Sequence, residues 1–555
     1  MVRTVSGHLE IVEFLFQHGA DLNSVADNSG STPVKKACSL NRMDLVSFFV
    51  RNGADILKPN YWGVTCLMVA VCHTEICELL LKNGARMGIN VRDRGRYTAL
   101  HYAIRSNQSQ TSELLLAYGA DPSLQCENGY DALFTACWFQ TPEIFENVRR
   151  SGTYAPERLA NAYELLGAIF VLRVHFNYIQ SEKRWKHGGS LLNPWRIYRG
   201  GLDLNCWRKA SEIRREAGVT KNINVPPGKI FEFTREFLDE EELERIFATE
   251  DVATLETQAL LICERVLGST HEDWISLLTA RGRKFMPHQK GINLFLQALA
   301  LKMQTDAIFS LDAITIIEEL GCVFYSHACL PDPVENLIID FEDPFFILSL
   351  LFRRLSAVPK SPPRTKTQWE TFDMILKEVI KLILILINLS PNPKQEMATR
   401  QLVFNLLRLN LRTSTQGNAL LHLAVKMERH WSIFRGASVT SFLLSVGANV
   451  NVANNEGCSP LMRVAFKSMT IKSHHSCQFY QKLARILLEA GAHIDQVMSG
   501  QTLSERLGWR EFINLTGLSH PHINLQCLAA RAIRRYQIPY VGKVPLELES
   551  FVKLH

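Results

Sequence analysis

Apolar and polar residues recur along the chain with the period of an amphipathic helix, and one helical pattern is repeated almost unchanged. It occurs as EFLFQHGADLN, SFFVRNGADIL, ELLLKNGARMG and ELLLAYGADPS, with glycines at Gly19, Gly53, Gly84 and Gly119. Apolar residues three and four apart predict one buried stripe on each helix. The glycine predicts a left-handed residue that ends the helix. The pattern therefore predicts a series of short helices that stack side by side.

A second short helix is predicted before each of these segments. It opens as STPVKKA, VTCLMVA, YTALHYA and YDALFTA, starting at Ser31, Val64, Tyr97 and Tyr130. Thr or Asp can cap the free amides of the first turn, and Pro33 suits a first helical position. Helix pairs that recur about every thirty-three residues are typical of ankyrin repeats. We expect an N-terminal ankyrin block over residues 1–155.

The same pattern returns near the end of the chain. NALLHLAV leads to SFLLSVGANVN, and CSPLMRVA leads to RILLEAGAHID. These segments predict a second ankyrin block over residues 410–515. The first unit of the N-terminal block starts with GHLEIVEFL, which is the second helix of a repeat. Because a solenoid needs a polar cap over its terminal repeat, we expect this block to be incomplete at its start, either by truncation or by loss in its lineage.

The region between the blocks keeps the helical period but loses the glycine signature. Residues 255–268, 271–285 and 289–304 predict consecutive amphipathic helices with short breaks. Such pairs are typical of helical hairpins resembling tetratricopeptide repeats, here over residues 156–400. The apolar run at residues 379–389 contains Lys381 and Asn388 and is too short to span a bilayer, so it predicts a buried helix. The expected fold class is all-α.

Composition narrows the class of protein without naming a function. The chain has 555 residues, of which 46% are hydrophobic and 21% charged, and its formal net charge is only +6. This charge gives no general reason to expect nucleic acid. Its 13 cysteines contain no CxxC pair, which favours reduced thiols in a cytoplasmic or nuclear protein. The N-terminus has no apolar signal core.

No pattern of catalytic residues is present. The sequence contains no GxSxG, HExxH, P-loop or dinucleotide-binding glycine motif, so we expect no catalytic residue and no cofactor. His101 and His422 occupy positions where ankyrin repeats hold a structural histidine. HHSC at residues 474–477 is the one compact His/Cys group, and without a second pair nearby it favours a solvated loop over a metal site.

Two stretches suggest binding surfaces. Residues 173–199 mix Arg and Lys with Trp and Tyr, as a single-stranded nucleic-acid groove does. Without a recognised nucleic-acid fold, the favoured interpretation is that the rings pack between helices and the cations are solvated. The predicted turns between repeats carry Tyr61, Trp62 and Tyr97. Exposed aromatic residues can anchor a bound peptide, or they can pack between adjacent repeats.

The tail, INLQCLAARAIRRYQIPYVGKVPLELESFVKLH, predicts a small apolar helix and then a second apolar segment. With ELLGAIF, ERVLGSTHED and the two ankyrin blocks, this tail resembles the feminization (fem) family, ankyrin-repeat substrate receptors of elongin-cullin ubiquitin ligases. The resemblance covers nearly the whole chain. It implies that residues 520–555 form a VHL-type box, in which one helix binds elongin C and the following segment selects the cullin.

The resemblance also implies which residues make these contacts. The elongin-binding face would comprise Leu525, Cys527, Leu528, Ala529 and Ile533. The cullin-selecting segment would comprise Val544, Pro545, Leu548 and Phe551. The degron-binding surface would comprise Ser31, Lys35, Cys38, Leu40, Tyr61 and Trp62.

The degron surface departs from the family pattern. Family members read C-terminal degrons, some ending in Arg, through an acidic pocket, and Leu40 here replaces the pocket Asp. An Arg side chain would lose its charge-assisted partner, so recognition of terminal Arg is not expected. The His-Cys turn of some relatives is also missing from VRDRGRYTALH.

The sequence thus predicts a non-catalytic substrate receptor of an elongin-cullin ubiquitin ligase. Its expected partners are elongin B/C, a cullin scaffold with its RING protein, and a degron-bearing substrate, with no nucleic acid or membrane. The sequence is also compatible with a homodimer. The alternatives are a ligase-independent ankyrin scaffold and an RNA-binding helical repeat protein that uses residues 173–199.

Overall fold

The computed structural model divides the chain into two compact units, residues 1–277 and 278–555. It describes residues 9–25, 28–184, 202–223, 234–248, 251–305, 311–329, 339–358, 363, 365–389, 391–426, 436–470, 474–494, 497–498, 501–502 and, in the tail, 529, 533, 538–541, 543, 545, 549 and 552. None of the borders between the four predicted domains coincides with the border between these units, so the domain bounds stay predictions.

The first unit is built from short helices followed by longer ones. The short helices are α1 (Leu9–Gln17), α2 (Pro33–Ser39), α3 (Met43–Arg51), α4 (Cys66–Ala70), α5 (Thr74–Lys82), α6 (Ala99–Arg105), α7 (Ser109–Ala117), α8 (Ala132–Trp138) and α9 (Pro142–Ser151), with a 3-10 helix at Ala85–Gly88. The longer ones are α10 (Pro156–Arg184), α11 (Leu202–Ala217), α12 (Glu240–Ala248), α13 (Val252–Leu267) and α14 (Glu272–Phe285), which ends in the second unit.

The short helices have the closing residues that the repeat pattern predicts. Gly19, Gly53, Gly84 and Gly119 all have positive φ angles, between 76° and 105°. A residue with a Cβ is disfavoured in this left-handed region, which explains glycine at the end of each helix. The side chain of Asp131 accepts a hydrogen bond from the Phe134 amide and so caps α8. The ankyrin architecture of the N-terminal block is confirmed.

The turns between helix pairs repeat one backbone design. In the turn at residues 60–63, the Asn60 amide donates to the Val64 carbonyl (3.0 Å) and the Gly63 amide donates to the Asn60 carbonyl (2.9 Å). The turns at residues 93–96 and 126–129 have the same two hydrogen bonds. The regular turns explain why successive repeats stack in register.

A buried ionic cluster joins the longer helices of the first unit. Glu164 on α10 and Glu236 are both contacted by Arg265 on α13 and by Lys221. Arg214 on α11 also pairs with Glu164 at 3.0 Å. Burial raises the pKa of Glu164, but Lys221, Arg265 and Arg214 outweigh that effect and lower the pKa to about 2. The cluster therefore joins three helices around two buried carboxylates.

The second unit is also helical in its described part, apart from one small hairpin. Its helices are α15 (Gln289–Thr305), α16 (Leu311–Cys329), α17 (Glu342–Leu355), α18 (Lys366–Asn388), α19 (Pro393–Arg408), α20 (Leu420–Lys426), α21 (Gly436–Ser445), α22 (Pro460–Thr470) and α23 (His474–Glu489). Val497–Met498 pairs antiparallel with Gln501–Thr502 as β1 and β2. The all-α fold class is thus confirmed, and the strands are only two residues long.

The apolar run at residues 379–389 lies inside α18. Eight consecutive residues of this helix, 379–386, are buried. Lys381 is buried with them, and its Nζ donates to Glu378 Oε1 at 2.7 Å. The prediction of a buried helix is confirmed. Within the part of the chain that the structure describes, no helix is both long and apolar enough to cross a bilayer.

Candidate protein-binding surfaces

The two aromatic residues of the second turn are half exposed. Tyr61 is 52% and Trp62 is 50% exposed. The Tyr61 ring lies against Gly30 in the preceding turn, where an added Cβ would be only 2.6 Å from the ring. The Tyr61 amide also donates to the Ser29 carbonyl at 3.2 Å. The backbone of the neighbouring repeat therefore supports Tyr61 while half of its side chain stays accessible.

Two other degron candidates lie in the protein interior. Lys35 is 2% exposed, and its Nζ donates to the Lys58 carbonyl at 3.2 Å. Burial lowers the pKa of Lys35. Cys38 is fully buried, and a hydrogen bond with the Cys66 side chain together with burial raises the pKa of its thiol. A ligand on the surface would not touch Cys38, so its contribution to a binding wall is indirect.

The remaining candidates lie at the edge of the same region. Ser31 is half buried next to Gly30, and its amide donates to Ser29 Oγ at 3.2 Å. Leu40 follows the last residue of α2 and is 39% exposed. The structure thus brings Ser31 and Tyr61 together through the Ser29 turn.

Three arginines next to these aromatics were not among the predicted site residues. Arg92, Arg94 and Arg96 are exposed in the third turn, and the Arg94 amide donates to the Trp62 carbonyl at 2.9 Å. The three arginines of the segment RDRGR, residues 92–96, were the only indication of this basic surface in the sequence. Without the neighbouring turns it only indicates a solvated loop.

Three predicted tail contacts lie among the described residues, and in the same tail Glu549 and Val552 are buried. Ala529 is exposed and Ile533 is half buried, and both have helical conformation. Pro545 is exposed, and its carbonyl accepts a hydrogen bond from the Glu549 amide at 3.0 Å. The other predicted elongin and cullin contacts lie outside the described residues: Leu525, Cys527, Leu528, Val544, Leu548 and Phe551.

The histidine and cysteine residues that were considered for a metal or catalytic role are part of ordinary helical structure. His101 is buried and its Nε2 contacts the Tyr130 carbonyl at 3.2 Å, which fits the predicted structural role. HHSC lies in the first turn of α23 and not in a loop, and its side chains are not described. In the described ranges, no group of three or more His, Cys, Asp or Glu is arranged to hold a metal ion.

The basic and aromatic stretch at residues 173–199 is largely outside the described residues. Its first part belongs to α10, which ends at Arg184. The side chains of residues 173–184 and all of residues 185–199 are not described. The RNA-binding alternative gains no support from the structure.

Comparisons with known proteins agree with the ankyrin-repeat pattern. A family model of three ankyrin repeats matches residues 1–93, and a single ankyrin repeat matches residues 96–127. Protein fem-1 homolog A-like of Mus musculus is 28% identical over 90% of this chain and 79% of its own length. Protein fem-1 homolog A of Danio rerio and protein fem-1 homolog C of Homo sapiens are each 28% identical, over 72% and 73% of this chain. The match covers 61% of the length of each of these two relatives.

Proposed function

Since these relatives support a place for the chain in the fem family of ankyrin-repeat proteins, we propose that it is the substrate-recognition subunit of a cullin-RING ubiquitin ligase. The N-terminal ankyrin surface binds the C-terminal degron of a target protein. The C-terminal tail binds elongin B/C and the cullin. The chain is an interaction adaptor, and the recruited ubiquitin-conjugating enzyme supplies the chemistry.

The tail is the observation that carries this proposal. Ala529 and Ile533 are helical, lie four residues apart and are both solvent-accessible. An exposed small residue and a half-buried apolar residue, both in helical conformation, suit close contact with a partner helix. A second apolar segment with an exposed Pro545 follows. A helix that only covered a core gives no reason for Ala529 to be exposed.

The same ankyrin surface also fits a ligase-independent scaffold. Its half-exposed Tyr61 and Trp62 suit a protein ligand in either case. A scaffold role gives no reason for LQCLAAR followed by VPLELESFV. Elongin binding therefore separates the two functions.

The experiment is co-expression of the full chain with elongins B and C. We expect Leu525→Asp to abolish co-purification, because a carboxylate on the contact face would be buried without a partner. Met397→Asp is the matched control, since Met397 is 71% exposed on α19 and lies outside the tail. Circular dichroism checks that both variants keep their helices. Elongin binding by Leu525→Asp at the wild-type level would contradict the proposal.

The cullin segment is tested separately. We expect Phe551→Asp to reduce capture of the cullin and its RING protein while elongins B and C still co-purify. Loss of all partners, or of none, would argue against two separate contacts in the tail.

A further inference from the structure

The turns at residues 60–63, 92–96 and 126–129, here called the finger row, form one continuous edge of the ankyrin block. The Arg94 amide donates to the Trp62 carbonyl, and the Glu127 amide donates to the Gly95 carbonyl, each at 2.9 Å. These hydrogen bonds connect the three turns directly. The side chains of the row are therefore held in fixed order along one surface.

The centre of the finger row is positively charged. Arg92, Arg94 and Arg96 are all exposed. Within the described part of the chain, none of the three forms an ion pair or a side-chain hydrogen bond. The one carboxylate between them, Asp93, is occupied by neutral donors: the Tyr97 amide contacts Oδ1 and the Tyr102 hydroxyl contacts Oδ2, each at 2.8 Å.

The aromatic residues lie beside this charge. Tyr61 and Trp62 occupy the adjacent turn, and the hydrogen bond from Arg94 to the Trp62 carbonyl joins the two turns. Half of each aromatic side chain is accessible to solvent. The finger row thus offers apolar area next to three guanidinium groups.

The composition of the row selects the charge of its ligand. Guanidinium groups bind carboxylates through paired, charge-assisted hydrogen bonds, and they repel Lys and Arg. Aromatic residues contribute most of their binding energy to apolar or aromatic partners. The carboxylate of Glu127 closes one end of the row, so a long polyanion would meet like charge there.

We infer that the finger row binds an acidic segment of the substrate, with Asp or Glu carboxylates or a terminal carboxylate on Arg92 and Arg94 and an apolar side chain on Tyr61 and Trp62. This inference rests on the proposed function and specifies its substrate class. Arg96 adds to the positive electrostatic potential of the finger row. Its positive φ angle of 62° is part of the turn geometry.

A peptide-display screen tests the class directly. The full chain, co-expressed with elongins B and C and purified by its own affinity tag whether or not they bind, is used to select from a random twelve-residue library with free C-termini. We expect Asp and Glu to be enriched and Lys and Arg to be depleted relative to the input library. Enrichment of Lys or Arg, or selected peptides without any charge bias, would overturn the inference.

A matched pair of variants then locates the surface. The probe is a fluorescein-labelled peptide of three Glu-Leu-Asp-Tyr units, and its control has Gln and Asn in place of Glu and Asp. We expect Arg94→Gln to weaken binding of the acidic peptide by about tenfold, the size expected when one charge-assisted pair is lost. Arg51→Gln removes an equally exposed charge from α3 and should leave binding unchanged. Equal effects of both variants would mean that only overall charge matters and would overturn the assignment.

Two further readouts separate this inference from its alternatives. A single-stranded twenty-nucleotide probe that bound more tightly than the peptide, and lost affinity in Arg94→Gln, would identify the row as a nucleic-acid surface and overturn the inference. Elongin co-purification by Arg94→Gln tests the tail independently. Acidic-peptide binding without elongin binding would support the finger-row inference while contradicting the ligase function.

Discussion

The Nε2 atom of His422 lies 2.8 Å from the carbonyl oxygen of Cys458, 36 residues further along the chain. A carbonyl can only accept, so Nε2 carries the proton. The Ala419 amide donates to Nδ1 at 3.3 Å, which requires that nitrogen to be unprotonated. Both contacts therefore need the neutral imidazole. Burial, with smaller effects of Arg463 and Arg412, lowers the pKa of His422 to about 4.

This arrangement predicts a loss of stability in mild acid. An unfolded histidine titrates near pH 6.5, so the unfolded state gains protons first as the pH falls from 6.5 to 4. The stability due to His422 is complete above pH 6.5 and is lost across that interval, by up to about 3 kcal/mol. Urea unfolding of the second unit, followed at pH 7.5 and 5, measures the change. We expect His422→Gln to flatten this dependence and the exposed His18→Gln to preserve it. An unchanged slope in His422→Gln would contradict the assignment.

Close contact between adjacent turns leaves no room for a side chain at Gly63. An added Cβ at Gly63 would lie 2.9 Å from the Asp93 Cα, which is backbone and cannot rotate away. Gly53 has a similar φ of 76° but no atom within 4 Å of the added Cβ. Both alanine variants carry conformational strain of about 1–2 kcal/mol. We expect Gly63→Ala to lower the free energy of unfolding by a further 1–3 kcal/mol, roughly the cost of overpacking. Equal denaturation midpoints for the two variants would show that the turns separate freely.

The buried ionic cluster predicts that the stability of the first unit depends strongly on Glu164, which is 1% exposed. Glu164→Gln leaves Arg214 and Arg265 without one of their carboxylates, and breaking a buried pair costs about 3–5 kcal/mol. Glu157→Gln, on an exposed position of α10, should change the stability by less than about 0.5 kcal/mol. Thermal melting of the first unit distinguishes the two. Because the folded pKa of Glu164 is about 2, its contribution is present above about pH 4.5 and falls at lower pH.

Two tryptophans of the first unit, Trp207 and Trp62, predict opposite effects of truncation. Trp207 is fully buried and its Nε1 donates to the Glu164 carbonyl at 2.9 Å, so Trp207→Ala should cost about 3–5 kcal/mol. Trp62 is half exposed, and Trp62→Ala should cost less than about 1 kcal/mol while weakening peptide binding. The free energy of unfolding measures the first effect, and fluorescence polarisation of the fluorescein-labelled acidic peptide measures the second. A large stability loss in Trp62→Ala would identify its ring as repeat packing.

Several features of the fold follow from short sequence patterns. Gly19, Gly53, Gly84 and Gly119 predict the helix ends, because a left-handed residue is a local backbone property. His101 and His422 were predicted as structural from their positions in the repeat, and both contact the next turn. The burial of residues 379–386 follows from their continuous apolar character.

Other features depend on partners that are distant in sequence. The resemblance places Lys35 on the degron-binding surface, but in the fold it is buried and its Nζ contacts a carbonyl in the following repeat. Glu164 and Arg265 belong to two of the motifs that carried the family resemblance, and only the fold brings these residues into contact across 101 positions. The arginines of the third turn gained significance only when Trp62 was found hydrogen-bonded to Arg94.

The sequence by itself determined the repeat period, the helix ends and the likeness of the tail to the fem family. These depend on residues within one or two turns of each other, so local conformational preference is enough. Only the tertiary structure decided which polar side chains are buried and which aromatic and basic residues share a surface. Exposure depends on the stacking of separate repeats, and a single repeat does not specify what its neighbour covers.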